Sequence, residues 1–388
     1  MNSFEYRNPT KILFGKGKIQ KLKDNIPENA TILFAYGGGS IKKNGIYDQA
    51  MAEIGTYKVI EFSGIEANPR YETLMKAVEL GRKEKIDFIL AVGGGSVLDA
   101  AKFIALAIPY EGGDPWEILV NRTAAKQKMA VPIGAILTLP ATGSEMNGNS
   151  VISRESSREK LSFGSPLVFP AFSILDPAVV SSLPKIQIAN GVIDAFSHVL
   201  EQYMTYPADA PIQDNFAEGI MRTLIQIGPK ILANPSDEIS AGNFMWSCTM
   251  ALNGLIAQGV PTDWATHMIG HELTALYGID HAQTLAIIGP NLYRVMFSNK
   301  KEKLAQYAER VWDIRVGTLE EKATEGIEKT VDFFHSLGVK TKLSEYTADY
   351  KQTAGIIQER FTNRNWLALG ENGIVTIEKV KEIVEMSY

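Results

Sequence analysis

The stretch Phe-Ile-Leu-Ala-Val-Gly-Gly-Gly-Ser-Val-Leu-Asp-Ala-Ala-Lys, residues 88–102, decides the fold. Its first five residues are apolar and predict a buried β-strand, and residues 97–107 have the spacing of a helix. A second Gly-Gly-Gly-Ser stands at residues 37–40, directly after the apolar run 31–36. A strand, then glycines, then a helix start can bind phosphate, because the open main chain turns its N–H groups toward an anion. One copy is as readily a tight turn, but two copies after buried strands favour phosphate binding.

Outward from these loops, strand-like and helix-like segments alternate through the first half of the chain. Residues 58–62 and 134–139 are further apolar runs, and residues 68–85 have helical periodicity. The alternation predicts a parallel sheet with crossover helices, whose ligands lie beyond the carboxyl ends of the strands. We expect both glycine loops and the polar segment from Thr138 to Asn147 to line that edge. Ser96 is expected to cap the helix that follows it.

The second half of the chain has helical periodicity almost throughout. The sequence therefore predicts an α/β fold with two domains: a parallel-sheet nucleotide-binding domain at 1–184 and an all-α metal-binding domain at 185–388. Helices are expected at 186–203, 214–232, 238–257, 264–276, 301–313, 319–337 and 376–385.

Composition excludes several classes of protein. A formal net charge of −5 argues against a nucleic-acid partner, since no basic surface is evident. No run of about 18 apolar residues is present, so we expect no membrane span. The N-terminal residues lack the apolar core of a signal peptide, and Cys248 is the single cysteine, so a disulfide framework within the chain is impossible. We expect a cytoplasmic protein in which Cys248 is buried.

Four of the five histidines fall in one part of the helical half. Asp194 and His198 are four residues apart, as are His267 and His271, so each pair projects from one face of a helix. His281 follows in what we predict to be a short loop. Each pair alone is ordinary, but together they offer imidazoles and a carboxylate suited to a divalent transition metal. The fifth, His335, is expected to be a core or surface residue.

These motifs resemble the iron-containing (group III) alcohol dehydrogenase family, in particular its NADP-dependent butanol dehydrogenase and aldehyde reductase branch. The resemblance covers nearly the whole chain, from Asn8-Pro-Thr-Lys-Ile12 through the loop at 93–102 to Asp194-Ala-Phe-Ser-His198 and the long signature 267–285. It implies a two-domain plan like that of dehydroquinate synthase, a homodimer, and a cofactor in the cleft between domains. One departure is plain, because the family's Pro-His-Gly around its last ligand is Asp280-His281-Ala282 here.

The resemblance also assigns site residues. It implies one Fe²⁺ or Zn²⁺ ion held by Asp194, His198, His267 and His281, with His271 beside the site as a proton relay. It implies that the nicotinamide cofactor contacts Gly37, Gly38, Gly39, Ser40, Asn68, Gly94, Gly95, Ser96, Asp99, Thr138, Thr142, Asn147 and Lys160.

The first glycine loop bears on cofactor choice. NAD-preferring relatives carry an aspartate where this chain has Gly38, and that aspartate repels a 2′-phosphate. Gly39 and Ser40 offer donors, and Lys42 or Lys43 adds positive charge, so we expect NADP(H) rather than NAD(H).

Two alternatives to an aldehyde reductase stay open. One is another enzyme of the superfamily, such as a polyol or glycerophosphate dehydrogenase or a sugar-phosphate cyclase. The other is a metal-binding or interaction protein without redox activity. Apolar neighbours of the ligands, among them Trp264, Met268 and Leu273, favour a small uncharged alcohol or aldehyde as the substrate.

Overall fold

A computed structural model describes residues 1–388, which form two compact units. We call Arg7–Leu183 with Pro235–Asn253 the α/β unit, and Met1–Tyr6, Pro184–Asn234 and Gly254–Tyr388 the helical unit. No helix in either unit has both the length and the apolar character needed to cross a membrane.

The α/β unit is built around a six-stranded parallel sheet. The strands of this sheet are β1 Lys11–Phe14, β2 Thr31–Tyr36, β3 Lys58–Phe62, β4 Phe88–Gly94, β5 Ile133–Leu139 and β8 Phe172–Leu175. A separate antiparallel hairpin consists of β6 Asn149–Arg154 and β7 Glu159–Gly164. The helices of the α/β unit are α1 Ser40–Lys43, α2 Ile46–Ile54, α3 Tyr71–Glu84, α4 Gly95–Ala107, α5 Glu117–Val120 and α8 Glu238–Ala251.

The helical unit contains eight helices and one short strand pair. The elements are α6 Lys185–Tyr203, α7 Pro211–Ala233, α9 Ala265–Tyr277, α10 His281–Val295, α11 Phe297–Trp312, α12 Leu319–Ser336, α13 Thr353–Asn363, α14 Ile377–Met386, β9 Ala368–Leu369 and β10 Val375–Thr376. Helix α10 is central to the unit, because it packs against α6, α9, α12 and α14.

The strand order of the sheet is β1-β8-β5-β4-β2-β3. The chain runs from β2 to β3 at one edge and then returns to the other side of β2 to form β4, so its direction of winding reverses between β2 and β4. Ligands of open parallel sheets bind at such a reversal, beyond the carboxyl ends of the strands. The first glycine loop follows β2, the second Gly-Gly-Gly-Ser forms the end of β4 and the start of α4 instead of a separate loop, and the Thr138–Asn147 segment begins at the end of β5. Three neighbouring strands therefore deliver all three segments to one edge.

The sequence prediction of an α/β fold with a parallel sheet and a helical C-terminal region is confirmed. The four predicted strands are β2 to β5, whereas β8 and the β6–β7 hairpin were not predicted from the residues. Strand β8 has only four residues, and all of them are buried, so no alternation reveals it.

Three expectations need correction. His281 is the first residue of α10 and does not lie in a loop. Ser96 lies inside α4 and its hydroxyl donates to the carbonyl of Ala67, so it does not cap that helix. Residues 235–253, expected in the C-terminal domain, belong to the α/β unit. Thr249 of α8 explains the last point, since its hydroxyl donates to the buried carboxylate of Glu145 at 2.5 Å.

Candidate metal centre and cofactor loops

The structure brings Asp194, His198, His267 and His281 together in the helical unit. One ligand atom from each lies within 4.8 Å of all the others. The first three side chains are buried, and that of His281 is 25% exposed. The Asp194 carboxylate is central, because its Oδ1 lies 3.7 Å from Nδ1 of His198 and 3.6 Å from Nε2 of His281. The set of atoms has the ligand types and the size for one divalent transition metal.

Three helices supply these ligands. Asp194 and His198 are four residues apart on α6, so they project from one face, while His267 comes from α9 and His281 from the start of α10. Helices α9 and α10 approach closely at Gly270, where a Cβ atom would lie 2.7 Å from the hydroxyl of Thr284. The amide of Asn190 on α6 donates to the carboxylate of Asp280 at 3.1 Å and so ties the residue before His281 to the first ligand helix.

Burial determines the protonation of His198. Removal from water lowers the pKa of His198 to about 4, although the nearby Asp194 carboxylate opposes the change. His198 is therefore neutral at physiological pH, which is the form that binds metal. Its Nδ1 is buried without a hydrogen-bond partner, and a buried polar atom in this state needs a partner. A cation among these four side chains would provide one, so the residues fit a metal ion.

His271 is adjacent to the four-residue cluster but is not part of it. Its ring is 5.2 Å from that of His281 and 6.3 Å from that of His267, centroid to centroid, and it is only partly buried. The indole of Trp264 covers another side, with its ring 5.4 Å from that of His267. His335 is far along the chain on α12, where its Nε2 pairs with the Thr341 hydroxyl at 3.0 Å.

The first glycine loop is open to solvent. Gly38 and Ser40 are exposed, and a Cβ atom at Gly38 or Gly39 would meet nothing within 4 Å. Gly39 has a φ of 93°, which explains its lack of a side chain, but Gly38 has neither a positive φ nor a close neighbour. Packing within the chain therefore does not account for Gly38, whereas close approach by a ligand would.

The second loop is packed against its surroundings. A Cβ atom at Gly94 would lie 3.0 Å from Leu139, and one at Gly95 would lie 2.4 Å from the Thr142 hydroxyl. These glycines therefore allow the end of β4 and the start of α4 to contact the end of β5 and the segment after it. Gly94 precedes α4 directly, so the N-terminus of that thirteen-residue helix opens at the same edge.

A fully buried lysine holds the segment after β5, and the sequence reasoning gave it no role. The ammonium of Lys102 donates to Ser144 at 2.7 Å, to the side-chain oxygen of Asn147 at 3.0 Å and to the main chain of Asn149 at 2.7 Å. Asp99 accepts from the Ser144 hydroxyl at 2.6 Å. Asp99 and Asn147 were expected to contact the cofactor, but each uses a side-chain oxygen for a hydrogen bond within the protein. The three-residue spacing of Asp99 and Lys102 in the 88–102 stretch was the available signal.

The structure places four other residues that were expected to contact the cofactor. Thr138 is a buried residue of β5, and Gly37 comes directly after β2. The ammonium of Lys160 on β7 donates to the side-chain oxygen of Asn68 at 3.0 Å. Lys42, considered as a phosphate ligand, instead has its ammonium 3.9 Å from the Glu61 carboxylate and 4.5 Å above the Tyr47 ring. Gly38 and Ser40 are the exposed residues of the first loop.

Comparisons with known proteins match both halves of the chain. The family model described as iron-containing alcohol dehydrogenase matches residues 9–177, and that of the C-terminal region of the Fe-containing alcohol dehydrogenase family matches residues 188–388.

Individual proteins are similar over their full lengths. The NADPH-dependent aldehyde reductase YqhD of Escherichia coli K12 is 51% identical over 387 residues, which is 99% of each chain. The crystal structure of E. coli K-12 YqhD superposes with a TM-score of 0.98 at 50% identity, covering 100% of this chain and 99% of that one. The structure of an NADH-dependent butanol dehydrogenase A from Thermotoga maritima superposes with a TM-score of 0.92 at 35% identity, covering 100% of this chain and 99% of that one.

Metal binding should raise thermal stability, because a ligand that binds only the folded chain stabilises it by about 2.7 kcal/mol at 100 times its Kd. We expect Zn²⁺ to raise the melting temperature of chelator-stripped protein, as measured by calorimetry. His198→Gln should abolish most of that increase. His271→Gln and His335→Gln, which change histidines outside the four-atom cluster, should retain it. An undiminished increase in His198→Gln would show that the cluster is not the binding site.

Proposed function

Because the chain belongs to the iron-containing alcohol dehydrogenase family, we propose that it transfers a hydride between NADP(H) and a small primary alcohol or aldehyde at a divalent metal centre. Members of the family are oxidoreductases acting on CH–OH groups, and so is this chain. The single observation that carries the proposal is the cluster of Asp194, His198, His267 and His281 within 4.8 Å. The 51% identity to an NADPH-dependent aldehyde reductase supports both substrate class and cofactor.

The four clustered side chains would hold Fe²⁺ or Zn²⁺. When bound, such an ion supplies Lewis-acid polarisation of the substrate oxygen. The chain keeps His198 neutral by burial and places the Trp264 indole against the cluster, which excludes water from that side. His281, at 25% exposure, marks the side from which a substrate reaches the site. Three imidazoles and one carboxylate suit either ion, so metal analysis of protein as purified decides between them.

The position of His271 supports a role in proton transfer. Its partly buried ring neighbours that of His281 without belonging to the four-atom cluster. An imidazole exchanges protons near neutral pH, so we propose that His271 donates one, directly or through water, to the substrate oxygen as the aldehyde is reduced.

Replacing His271 with glutamine tests this role. General acid catalysis contributes about 10²–10⁴-fold to a rate, so His271→Gln should lower kcat by at least about 10²-fold. The pH dependence of kcat should also lose the limb that His271 contributes. Metal content, measured by elemental analysis, should stay at the level of the unaltered protein. A kcat within about threefold of normal, with an unchanged pH profile, would contradict the assignment.

The substrate should be small and uncharged. A phosphorylated substrate would require cationic side chains that are available near the ligands. Two arginines lie near helix α9, but both are bound to the buried Glu272 carboxylate: Arg360 at 2.6 Å, and Arg364 in a second close contact. This pairing disfavours the glycerophosphate dehydrogenase and sugar-phosphate cyclase alternatives.

The decisive experiment is butanal-dependent oxidation of NADPH beside NADH, on stripped protein and on protein reloaded with Fe²⁺ or Zn²⁺. We expect turnover only after reloading, with the higher kcat/KM for NADPH. Metal-dependent turnover with NADH alone would keep the enzyme class and reject the cofactor. No turnover under any condition, with a polyol and glycerol phosphate also tested, would favour a protein without redox activity.

Cofactor preference should depend on Gly38. The position is exposed and its Cβ direction is open, so a side chain fits without disturbing the fold. Gly38→Asp places a carboxylate beside the expected 2′-phosphate, and repulsion should lower the NADPH-to-NADH ratio of kcat/KM by about 10-fold or more. Gly38→Asn has nearly the same shape without the charge and should change the ratio much less. Equal effects of the two variants would show that size, not charge, acts at this position.

The proposed assembly is a homodimer. The exposed rings of Phe14 on edge strand β1 and Trp246 on α8 pack edge to face at 5.9 Å, and both lie within the α/β unit. An apolar pair beside an unpaired strand edge suits a second copy of the chain. Light scattering measures the mass directly. The cytoplasmic location stays a prediction.

A further inference from the structure

Glu201 is a buried carboxylate on the ligand helix α6, three residues after His198. The sequence alone indicated no function for Glu201. Its Oε1 accepts the main-chain N–H of Thr266 at 2.6 Å and that of His267 at 3.4 Å. Its other oxygen, Oε2, is in close contact with Nδ1 of the His267 ring. One carboxylate therefore holds both the main chain and the side chain of a proposed metal ligand.

We propose that Glu201 is a positioning residue of the metal site, whose carboxylate accepts the Nδ1–H of His267. This inference rests on the proposed function, because it assumes that His267 binds the metal. A neutral imidazole carries its proton on one nitrogen only. With the proton on Nδ1, the lone pair of Nε2 is directed to the metal, and the ring cannot rotate without losing the hydrogen bond.

The surroundings of Glu201 support its role as an acceptor. Burial, and then the neighbouring Asp263 carboxylate, raise the pKa of Glu201 well above its usual value, and the two main-chain N–H groups that its Oε1 accepts at the first turn of α9 oppose that shift. A carboxylate in this position therefore satisfies helix donors and presents its second oxygen to the ring. A hydrogen-bonded carboxylate also increases the basicity of a ligating imidazole, which strengthens the metal bond.

A second carboxylate fixes the same helix start. Asp263 accepts the N–H of Ala265 at 2.9 Å, and its own N–H donates to the main-chain oxygen of Glu201 at 3.1 Å. The fully buried ammonium of Lys300 lies 2.9 Å from the other oxygen of Asp263 and also binds Glu371. The beginning of α9 is thus held by two carboxylates, only one of which reaches the His267 ring.

Metal affinity tests the proposal without reference to activity. Glu201→Gln keeps the size and one acceptor oxygen, but its amide can turn a donor toward Nδ1 and favour the tautomer that cannot bind metal through Nε2. We expect the Kd for Co²⁺ and Zn²⁺, measured by competition with a chelator, to rise about 10–100-fold. The matched control is Glu218→Gln, which alters a buried carboxylate bound to Tyr203 and Arg310 in the same unit. Its metal Kd should stay within about threefold of the unaltered protein.

Histidine nitrogen spectroscopy on the unaltered, zinc-loaded protein provides a second test that needs no folded Glu201 variant. With ¹⁵N-labelled histidine, the His267 signals are identified by their loss in His267→Gln, and we expect the proton on Nδ1 and the metal on Nε2. Metal on Nδ1, or a proton on Nε2, overturns the proposal.

The outcomes separate the two hypotheses. If the unaltered protein binds no divalent metal, the metal centre of the proposed function fails. If it binds metal and Glu201→Gln binds within about threefold as tightly, the metal centre stands and the Glu201 proposal fails.

Discussion

The burial of Asp194, His198 and His267 in one cluster, with the partly exposed His281 beside them, is the constraint on which the helical unit depends. Placing Asp194 and His198 away from water is costly unless their polar atoms find partners. Burial lowers the pKa of His198 to about 4, so that this imidazole acts as a lone-pair donor and not as a cation that would balance the carboxylate. A divalent ion held by these four side chains would satisfy the carboxylate and the imidazoles together. Because burial makes unpaired polar atoms unfavourable here, it favours binding of a metal ion at this site.

The clustering of these buried side chains requires the surrounding helices to pack closely. The proposed ligands from α6, α9 and α10 converge only if these helices approach closely, and Gly270 allows that approach between α9 and α10. The N-terminus of α9 must also be held firmly, since His267 is its third residue. The carboxylates of Glu201 and Asp263 do so by accepting three consecutive main-chain N–H groups. Helix capping and ligand placement are thus the same set of hydrogen bonds.

The α/β unit is under a different constraint, because main chain must stay accessible at one edge of its sheet. Its glycines divide into two kinds. Gly94 and Gly95 lack side chains because Leu139 and Thr142 occupy the space, whereas Gly38 faces open space. Lys102, buried beneath the segment after β5, holds that segment through three hydrogen bonds. The second loop is therefore closely packed, and the first is open to solvent.

Much of this could be predicted from the sequence alone, because it depends on local periodicity and spacing. Apolar runs separated by amphipathic helices determined strands β2 to β5 and the parallel sheet, and the four-residue spacing of Asp194 and His198 placed them on one helix face. Recognition of the family supplied the ligand set, which the helices of the structure bring within 4.8 Å. Tertiary structure alone decided the rest. It placed α8 with the α/β unit, started α10 at His281, and assigned Glu201 and Lys102 their partners. Glu201 meets a residue 66 positions away, and Lys102 meets Asn147, 45 positions away. No local pattern encodes such contacts, since the meeting of distant segments depends on how whole elements pack.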